Sequence, residues 1–269
     1  MASDRIALHV QQAERVLDTL AVLLAVAACA GDGEDRPSPD GETAADRRRV
    51  ATPVSQTSAG AEAKEDETTL VALAKGETLD VWSAPCSEGR PERTIRSQDE
   101  ASREILLVVR QQLASEWLEA HLPVAPGGVT GWVKRDDVTL SRHRFRIEVE
   151  RSTHRLVVYD GDRLALDTPV AIGSSDAPPA GPKLFIKELI ETPDPDGAYG
   201  SYAYGLSGSN NLVESFEAGT GVVGIHGTDD ESSLGQDVPT GSLAIGREPL
   251  TRMVDRLGLP LGTPVEILP

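Results

Sequence analysis

The chain has 269 residues, a hydrophobic fraction of 39% and a formal net charge of −17. Such a negative charge argues against a nucleic-acid partner, because phosphate binding requires clustered lysine and arginine side chains. Cysteine occurs only at Cys29 and Cys86, which excludes a framework of several disulfides. The sequence has no CxxC motif or Cys/His cluster, which argues against a structural zinc site. We therefore expect no nucleic acid and no metal, and we interpret Cys86 as an incidental thiol.

The N-terminal segment contains the apolar run "TLAVLLAVAAC", which ends in small residues and Cys29. A run of about ten residues suits a secretory signal and is too short to span a bilayer comfortably. "VAAC" resembles a bacterial lipobox, which implies a signal peptide over residues 1–28 and lipidation of Cys29. An ordinary signal peptide cut nearby is the alternative. We expect an exported protein in the cell envelope, anchored by lipid to the outer face of the cytoplasmic membrane.

Residues 29–67 change in composition and are rich in Asp, Glu, Gly, Pro, Ser, Thr and Ala. A segment with so few large apolar side chains cannot bury enough surface to offset the entropy lost on ordering. We interpret it as a disordered tether that lets a folded body reach away from the membrane.

Residues 68–142 alternate short apolar runs with turn signals, which predicts a small β module. Its three tryptophans are expected in an aromatic core, with a stacking platform for a sugar or peptide as the alternative; they are Trp82, Trp117 and Trp132. The closing "GWVKRDDV" resembles the last strand of bacterial SH3-like domains. The predicted strands lie in "TLVALA", "ETLDVWSAP", "EILLVVRQQ", "EWLEAHLPV" and "TGWVKRDDV".

Residues 144–269 predict a second, mainly β module, a β-sandwich with one helix near its C-terminus. "HRLVVYDGDRLALDTPVAIG" is typical of a hairpin that turns at "DGD". The long stretch "TPDPDGAYGSYAYGLSGSNN" has little alternation, and we interpret it as a binding loop. "REPLTRMVDRLG" has apolar residues at helical spacing and predicts the helix.

His226 ends the apolar strand "VVGIH", and Ser242 follows Gly241 farther along the chain. A histidine at a strand end can face a cleft. A nucleophile needs such a base within hydrogen-bond reach, together with backbone N–H donors for the developing oxyanion. On this pattern alone, a polar loop that happens to contain both residues is the better interpretation, because loops contain many serines.

A resemblance sharpens this pattern. "GIHGTDDESSLGQDV" and, after the helix, "LGTPVEIL" resemble the catalytic domain of L,D-transpeptidases of the YkuD type, and the likeness covers Arg144–Leu268. It implies a YkuD-type fold and an activity that cross-links peptidoglycan. The stem peptides of peptidoglycan would then be both the substrates and the binding partners. It also implies a cysteine nucleophile assisted by a histidine, with no cofactor. His226 corresponds to the histidine of the family's "HGT".

The family's cysteine motif, [ST]-H-G-C-[IV]-R, falls without a gap on "PTGSLA", so Ser242 occupies the nucleophile position. Thr240 then replaces the motif histidine and Ala244 its arginine. A rival register, which needs a gap, aligns Arg247 with the arginine and Ile245 with the cysteine. The cysteine is absent in either register.

The resemblance therefore assigns His226 and Ser242 to catalysis, with Gly241 and Gly227 as backbone groups for an oxyanion. The expected substrate contacts are Thr228, Thr240, Tyr202 and Tyr204. One hypothesis is a serine-dependent enzyme; a second is an inactive relative that binds stem peptides or regulates an active partner; a third is a scaffold that binds through its SH3-like module. The lost motif residues favour the second, whereas a Ser242 Oγ within about 3.2 Å of a His226 nitrogen would favour the first.

Overall fold

The computed structural model describes residues 68–87, 89–96, 105–113, 116–173, 183–192, 194–208, 224–239 and 242–269. The predicted signal peptide, the lipidation site Cys29 and the tether lie outside the described residues. So do two of the predicted site residues, Thr240 and Gly241.

The first module is built from a five-stranded antiparallel sheet and a two-stranded ribbon. The sheet order is β6-β5-β4-β1-β7, and the ribbon pairs β2 with β3. The strands are β1 (Thr69–Ala74), β2 (Thr78–Val81), β3 (Arg93–Arg96), β4 (Leu106–Leu113), β5 (Trp117–His121), β6 (Thr130–Lys134) and β7 (Val138–His143).

Two of these strands are absent from the sequence prediction. In β3 the only apolar residue is Ile95, so alternation gives no signal and the strand exists through its pairing with β2. The predicted strand "TGWVKRDDV" is interrupted by a 3₁₀ turn at Arg135–Asp137, and β7 begins after it at the fully buried Val138. β7 pairs with β1 along its length, which no local pattern specifies.

The tryptophans of this module support its core. Trp82 and Trp117 are each 7% exposed, and their rings meet edge to face with centroids 5.2 Å apart. The ammonium of Lys134 lies 5.1 Å from the Trp82 ring centroid. These contacts confirm the core placement of Trp82 and Trp117. The turn after β2 carries Cys86, whose sulfur is in a disulfide, so the expectation of an incidental thiol is wrong.

The second module is a nine-stranded sheet in the order β14-β10-β15-β13-β12-β11-β16-β8-β9, and an additional pairing of β9 with β10 closes it on itself. One apolar core fills its interior, and the mainly β fold class is confirmed. The strands are β8 (Phe145–Glu150), β9 (Arg155–Asp160), β10 (Arg163–Gly173), β11 (Leu184–Glu191), β12 (Tyr202–Leu206), β13 (Gly224–Thr228), β14 (Asp237–Val238), β15 (Leu243–Gly246) and β16 (Pro264–Leu268).

The predicted helix is present as α1 (Arg247–Thr251), which continues as a π-helical segment over Arg252–Leu257. Its apolar face buries Leu250, Met253 and Val254 against the core. The helix ends at Gly258, whose φ of 58° is left-handed and suits glycine. No helix among the described residues has the length and apolar character needed to cross a membrane.

The two modules share an apolar contact. Val71 and Leu106 of the first module form a buried cluster with Phe185 of the second. Gly262, with a φ of +88°, approaches so closely that a Cβ there would lie 2.5 Å from a methyl carbon of Val71. The docking of the modules therefore depends on a glycine backbone that lies directly against Val71.

His143 ends the first module at this junction, one residue before the second module begins. Burial lowers the pKa of the His143 imidazole to about 4. In the unfolded chain a histidine has a pKa of about 6.5. Between these values the unfolded state binds the proton and the folded state does not, so the free energy of unfolding falls as the pH drops through this window.

Replacing His143 by Gln should therefore flatten the acid side of the stability curve. We expect the wild-type chain to lose about 3 kcal/mol more than the His143→Gln variant between pH 7 and pH 4, a difference set by that shift in pKa. Urea unfolding of both chains across this range measures it, and the difference between the curves isolates His143 from the carboxylates. Parallel curves for the two chains would contradict this assignment.

Candidate active site

The site is organised by β13 and β15, which lie side by side as parallel strands. Ile225 pairs with Leu243, and His226 pairs with Ala244. Because side chains alternate along a strand, Ile225 and Leu243 point together into the core. His226 and Ser242, the residue just before β15, therefore lie on the opposite face. The strand period thus brings together two residues that are 16 positions apart.

The two side chains are in direct contact. His226 Nε2 lies 2.7 Å from Ser242 Oγ, and His226 Nδ1 lies 2.7 Å from the carbonyl oxygen of Gly227. A carbonyl oxygen can only accept, so Nδ1 carries the proton and Nε2 presents its lone pair to the serine. The Ser242 hydroxyl donates to Nε2. This is the orientation that a general base requires.

Burial sets the protonation state of the pair. His226 is 8% exposed and Ser242 is 6% exposed. Burial lowers the pKa of His226, and the hydrogen bond to Gly227 opposes that shift only in part. The imidazole is therefore neutral at neutral pH, which leaves it ready to accept the serine proton.

A tyrosine that the sequence analysis did not single out completes this arrangement. The Tyr199 ring meets the His226 ring edge to face, with centroids 4.9 Å apart, and its carbonyl oxygen accepts the N–H of Gly227 at 2.9 Å. Tyr199 is 39% exposed. Its only local signal is the "AYG" sequence, in which Gly200 has a φ of +72°. The prediction of Gly227 as an oxyanion donor is thus unsupported, because its N–H is already donated.

The two tyrosines expected to bind substrate lie on the wrong face. Tyr204 pairs with Ile225 across β12 and β13, and it is fully buried in the core beside that residue. Burial raises the pKa of the Tyr204 hydroxyl. Tyr202, two residues earlier on the same strand, packs against the same core. Alternation therefore turns both side chains away from His226, and we assign neither to substrate binding.

The remaining predicted residues differ in what the structure shows of them. The Thr228 hydroxyl accepts the N–H of Asp230 at 3.1 Å and so supports the turn after β13. Ile245 is fully buried in the core, so it cannot occupy a nucleophile position beside His226. This placement favours the register that assigns Ser242 to that position. Across the described ranges, no group of His, Cys, Asp and Glu side chains could hold a metal ion.

Comparison with known proteins adds a relative. A Bacillus licheniformis protein described as a candidate L,D-transpeptidase, YkuD, is 29% identical over 126 residues, which is 46% of this chain and 66% of the relative. The chain thus spans slightly less than two thirds of that relative's length. No family model matches the chain. The relative confirms the predicted resemblance to the YkuD-type catalytic domain.

Solved structures give weaker likenesses. A mutant of the Enterococcus faecium L,D-transpeptidase is 18% identical, with a TM-score of 0.35, over 46% of this chain and 49% of that one. The L,D-transpeptidase from Mycobacterium smegmatis is 12% identical, with a TM-score of 0.36, over 61% of this chain and 99% of that one.

The contact between Gly227 and Tyr199 leaves no room for a side chain. A Cβ on Gly227 would lie 2.9 Å from the Tyr199 carbonyl oxygen and 3.4 Å from Leu250 Cδ2. We expect Gly227→Ala to lower the free energy of unfolding by about 1–3 kcal/mol, as other overpacked sites do. Urea unfolding measures the loss. The control is Gly76→Ala, whose Cβ would meet nothing closer than Thr78 O at 3.7 Å; equal losses in both variants would contradict the tight fit.

Proposed function

We propose that this chain is a serine-dependent acyltransferase of the L,D-transpeptidase type, acting on peptidoglycan stem peptides. The observation that carries the proposal is the 2.7 Å contact between His226 Nε2 and Ser242 Oγ, with Nδ1 held by the Gly227 carbonyl. The resemblance to YkuD-type domains supplies the substrate class, and the contact supports a working nucleophile at the position of the family's cysteine.

In the first half-reaction, Ser242 Oγ attacks the amide carbonyl of a donor stem peptide while His226 Nε2 takes the hydroxyl proton. The new C–O bond makes a tetrahedral intermediate. Its collapse breaks the C–N bond, and the histidine returns the proton to the leaving amine. The product is an ester between the donor peptide and Ser242.

In the second half-reaction, the amine of an acceptor stem attacks that ester. A C–N bond forms, the C–O bond to Ser242 breaks, and the proton shed by the acceptor amine reaches Ser242 Oγ through His226. The serine and the neutral histidine are thereby restored, so the cycle needs no oxidant, metal or organic cofactor.

The change from sulfur to oxygen makes the histidine more important. A thiol with a pKa of about 8.5 forms a thiolate readily, whereas a serine hydroxyl requires a base during attack itself. Two observations support a serine that has such a base: burial lowers the pKa of His226, and its Nε2 accepts a hydrogen bond from the Ser242 hydroxyl. Serine–histidine pairs with this orientation catalyse acyl transfer on other folds.

The second candidate function is a non-catalytic relative that binds stem peptides or regulates an active partner. It is favoured by the loss of the family's motif histidine and arginine, which are Thr240 and Ala244 here. It shares the proposed substrate with the first candidate and differs in whether a covalent bond forms.

Intact-mass measurement separates the two candidates. We expect the wild-type chain, incubated with a donor tetrapeptide stem, to gain the mass of the acyl group on Ser242, and Ser242→Ala to gain none. His226→Gln should slow acylation by about 100-fold or more, the usual contribution of a general base. The matched control is Ser242→Cys, which places the family's thiol nucleophile beside the same His226.

The contrary outcome is equally specific. A wild-type chain that gains no mass, beside a Ser242→Cys variant that does, would identify a decayed enzyme. If the same wild-type chain still binds the stem in calorimetry, the stem-binding relative is the correct function. If it does not bind, binding through the first module is the remaining hypothesis.

The placement of this activity in the envelope is a second part of the proposal. We propose that residues 1–28 direct export, that Cys29 carries a lipid anchor and that residues 29–67 tether the body to the outer face of the cytoplasmic membrane. We also propose that the first module is an SH3-like domain, because its segment "GWVKRDDV" resembles the last strand of such domains. Such a tether would let the active site reach stem peptides in the surrounding wall.

Metabolic labelling tests the anchor. We expect the full chain, expressed in a bacterium that processes lipoproteins, to incorporate an alkyne fatty acid, and Cys29→Ser to lose the label while Cys86→Ser keeps it. Cys29 is the one other cysteine in the sequence, so a lipid on its sulfur and the Cys86 disulfide exclude each other, and the anchored protein would carry Cys86 as a thiol. An unlabelled chain whose Cys29 is instead linked to Cys86 would overturn the anchor.

A further inference from the structure

We infer that Arg247 is a positioning residue for His226, which acts through the loop 194–200 and the Tyr199 that this loop carries. The inference rests on the proposed function, since it concerns the same base. Its test measures the position of the histidine directly and needs no turnover.

The Arg247 guanidinium binds a row of consecutive loop carbonyls. Its NH1 donates to Pro195 O at 3.2 Å, and its NH2 donates to Asp196 O at 3.0 Å and to Gly197 O at 2.6 Å. A carboxylate oxygen of Asp229 lies 3.8 Å from the same NH2. Arg247 is the first residue of α1, so the helix start holds the loop by a planar, multidentate donor.

The held loop lies directly on the strand that carries the base. The Tyr199 carbonyl accepts the Gly227 N–H at 2.9 Å. Gly200 has left-handed backbone geometry, and a Cβ on it would lie 3.6 Å from Arg247 Cγ and 3.7 Å from Gly227 Cα. The Thr192 hydroxyl donates to the Gly200 carbonyl and closes the loop at its base.

The Gly227 residue joins this loop to the catalytic pair. Its N–H is held by Tyr199 O, and its carbonyl accepts the Nδ1–H of His226 at 2.7 Å. The Tyr199 ring also stands edge-on against the imidazole. The loop thus limits His226 from two sides, through the backbone that sets its tautomer and through the ring that restricts its rotation.

A lysine could not reproduce this anchor. An ammonium is a point donor on a flexible stem, whereas the guanidinium presents several N–H groups in one plane and contacts separate carbonyls together. Without Arg247, the Pro195, Asp196 and Gly197 carbonyls lose a common donor. These carbonyls then form hydrogen bonds with water, the loop becomes more mobile, and the Tyr199 ring moves away from His226.

Proton NMR of the full chain tests the inference. In the Arg247→Ala variant, we expect the His226 ring protons to shift as they do in Tyr199→Leu, because both changes remove the tyrosine ring current. The Gly227 amide should exchange with solvent about tenfold faster or more. Arg247→Lys should give a partial change. The matched control is Arg252→Ala, an arginine whose NH2 donates to Ala165 O at 3.1 Å, outside the loop; it should leave both signals unchanged.

Each other result has a defined meaning. A folded Arg247→Ala chain with wild-type His226 shifts and Gly227 exchange would overturn the inference. If Arg247→Ala does not fold, Arg247→Lys decides: a partial change supports the inference and wild-type signals overturn it. Acylation of Ser242 is measured separately, so loss of this inference leaves the proposed function standing, and the reverse also holds.

Discussion

The parallel pairing of β13 with β15 is the constraint on which the site depends. It sets Ile225 beside Leu243 in the core and therefore turns His226 and Ser242 to the other face together. A slip of one residue in this register would bury the histidine in the core and break the 2.7 Å contact. The hydrophobic core and the contact between His226 and Ser242 are thus specified by the same pairing.

Burial of a polar pair is costly unless its hydrogen bonds are made, and here they are made in series. The Tyr199 carbonyl accepts from Gly227, the Gly227 carbonyl accepts from His226, and His226 accepts from Ser242. This series of hydrogen bonds fixes one tautomer of the buried His226 imidazole. Burial also lowers the pKa of His226, because desolvation disfavours the charged imidazolium. The imidazole is therefore neutral at neutral pH.

The site therefore has the orientation that an oxygen nucleophile requires. A serine hydroxyl, unlike the cysteine thiol of the family that the chain resembles, needs a base during nucleophilic attack, and His226 Nε2 lies at hydrogen-bond distance from Ser242 Oγ. The Arg247 guanidinium extends this arrangement beyond the pair, because it donates to three carbonyls of the loop that carries Tyr199. An acyltransferase and a stem-binding relative would share this arrangement of His226, Ser242 and the loop. They would differ only in whether a covalent bond to the stem peptide forms.

From the sequence alone came the mainly β class, the helix after Gly246 and the candidate residues His226 and Ser242, because strand alternation, helical spacing and a family motif are local patterns. The contact between these two side chains comes from the pairing of β13 with β15. Tertiary structure alone decided which face the tyrosines take. Tyr204 shares a loop-like, glycine-rich stretch with Tyr199, yet the pairing of β12 with β13 turns it into the core, whereas the loop brings Tyr199 to the histidine. Such choices arise from contacts between distant segments, which no local pattern encodes.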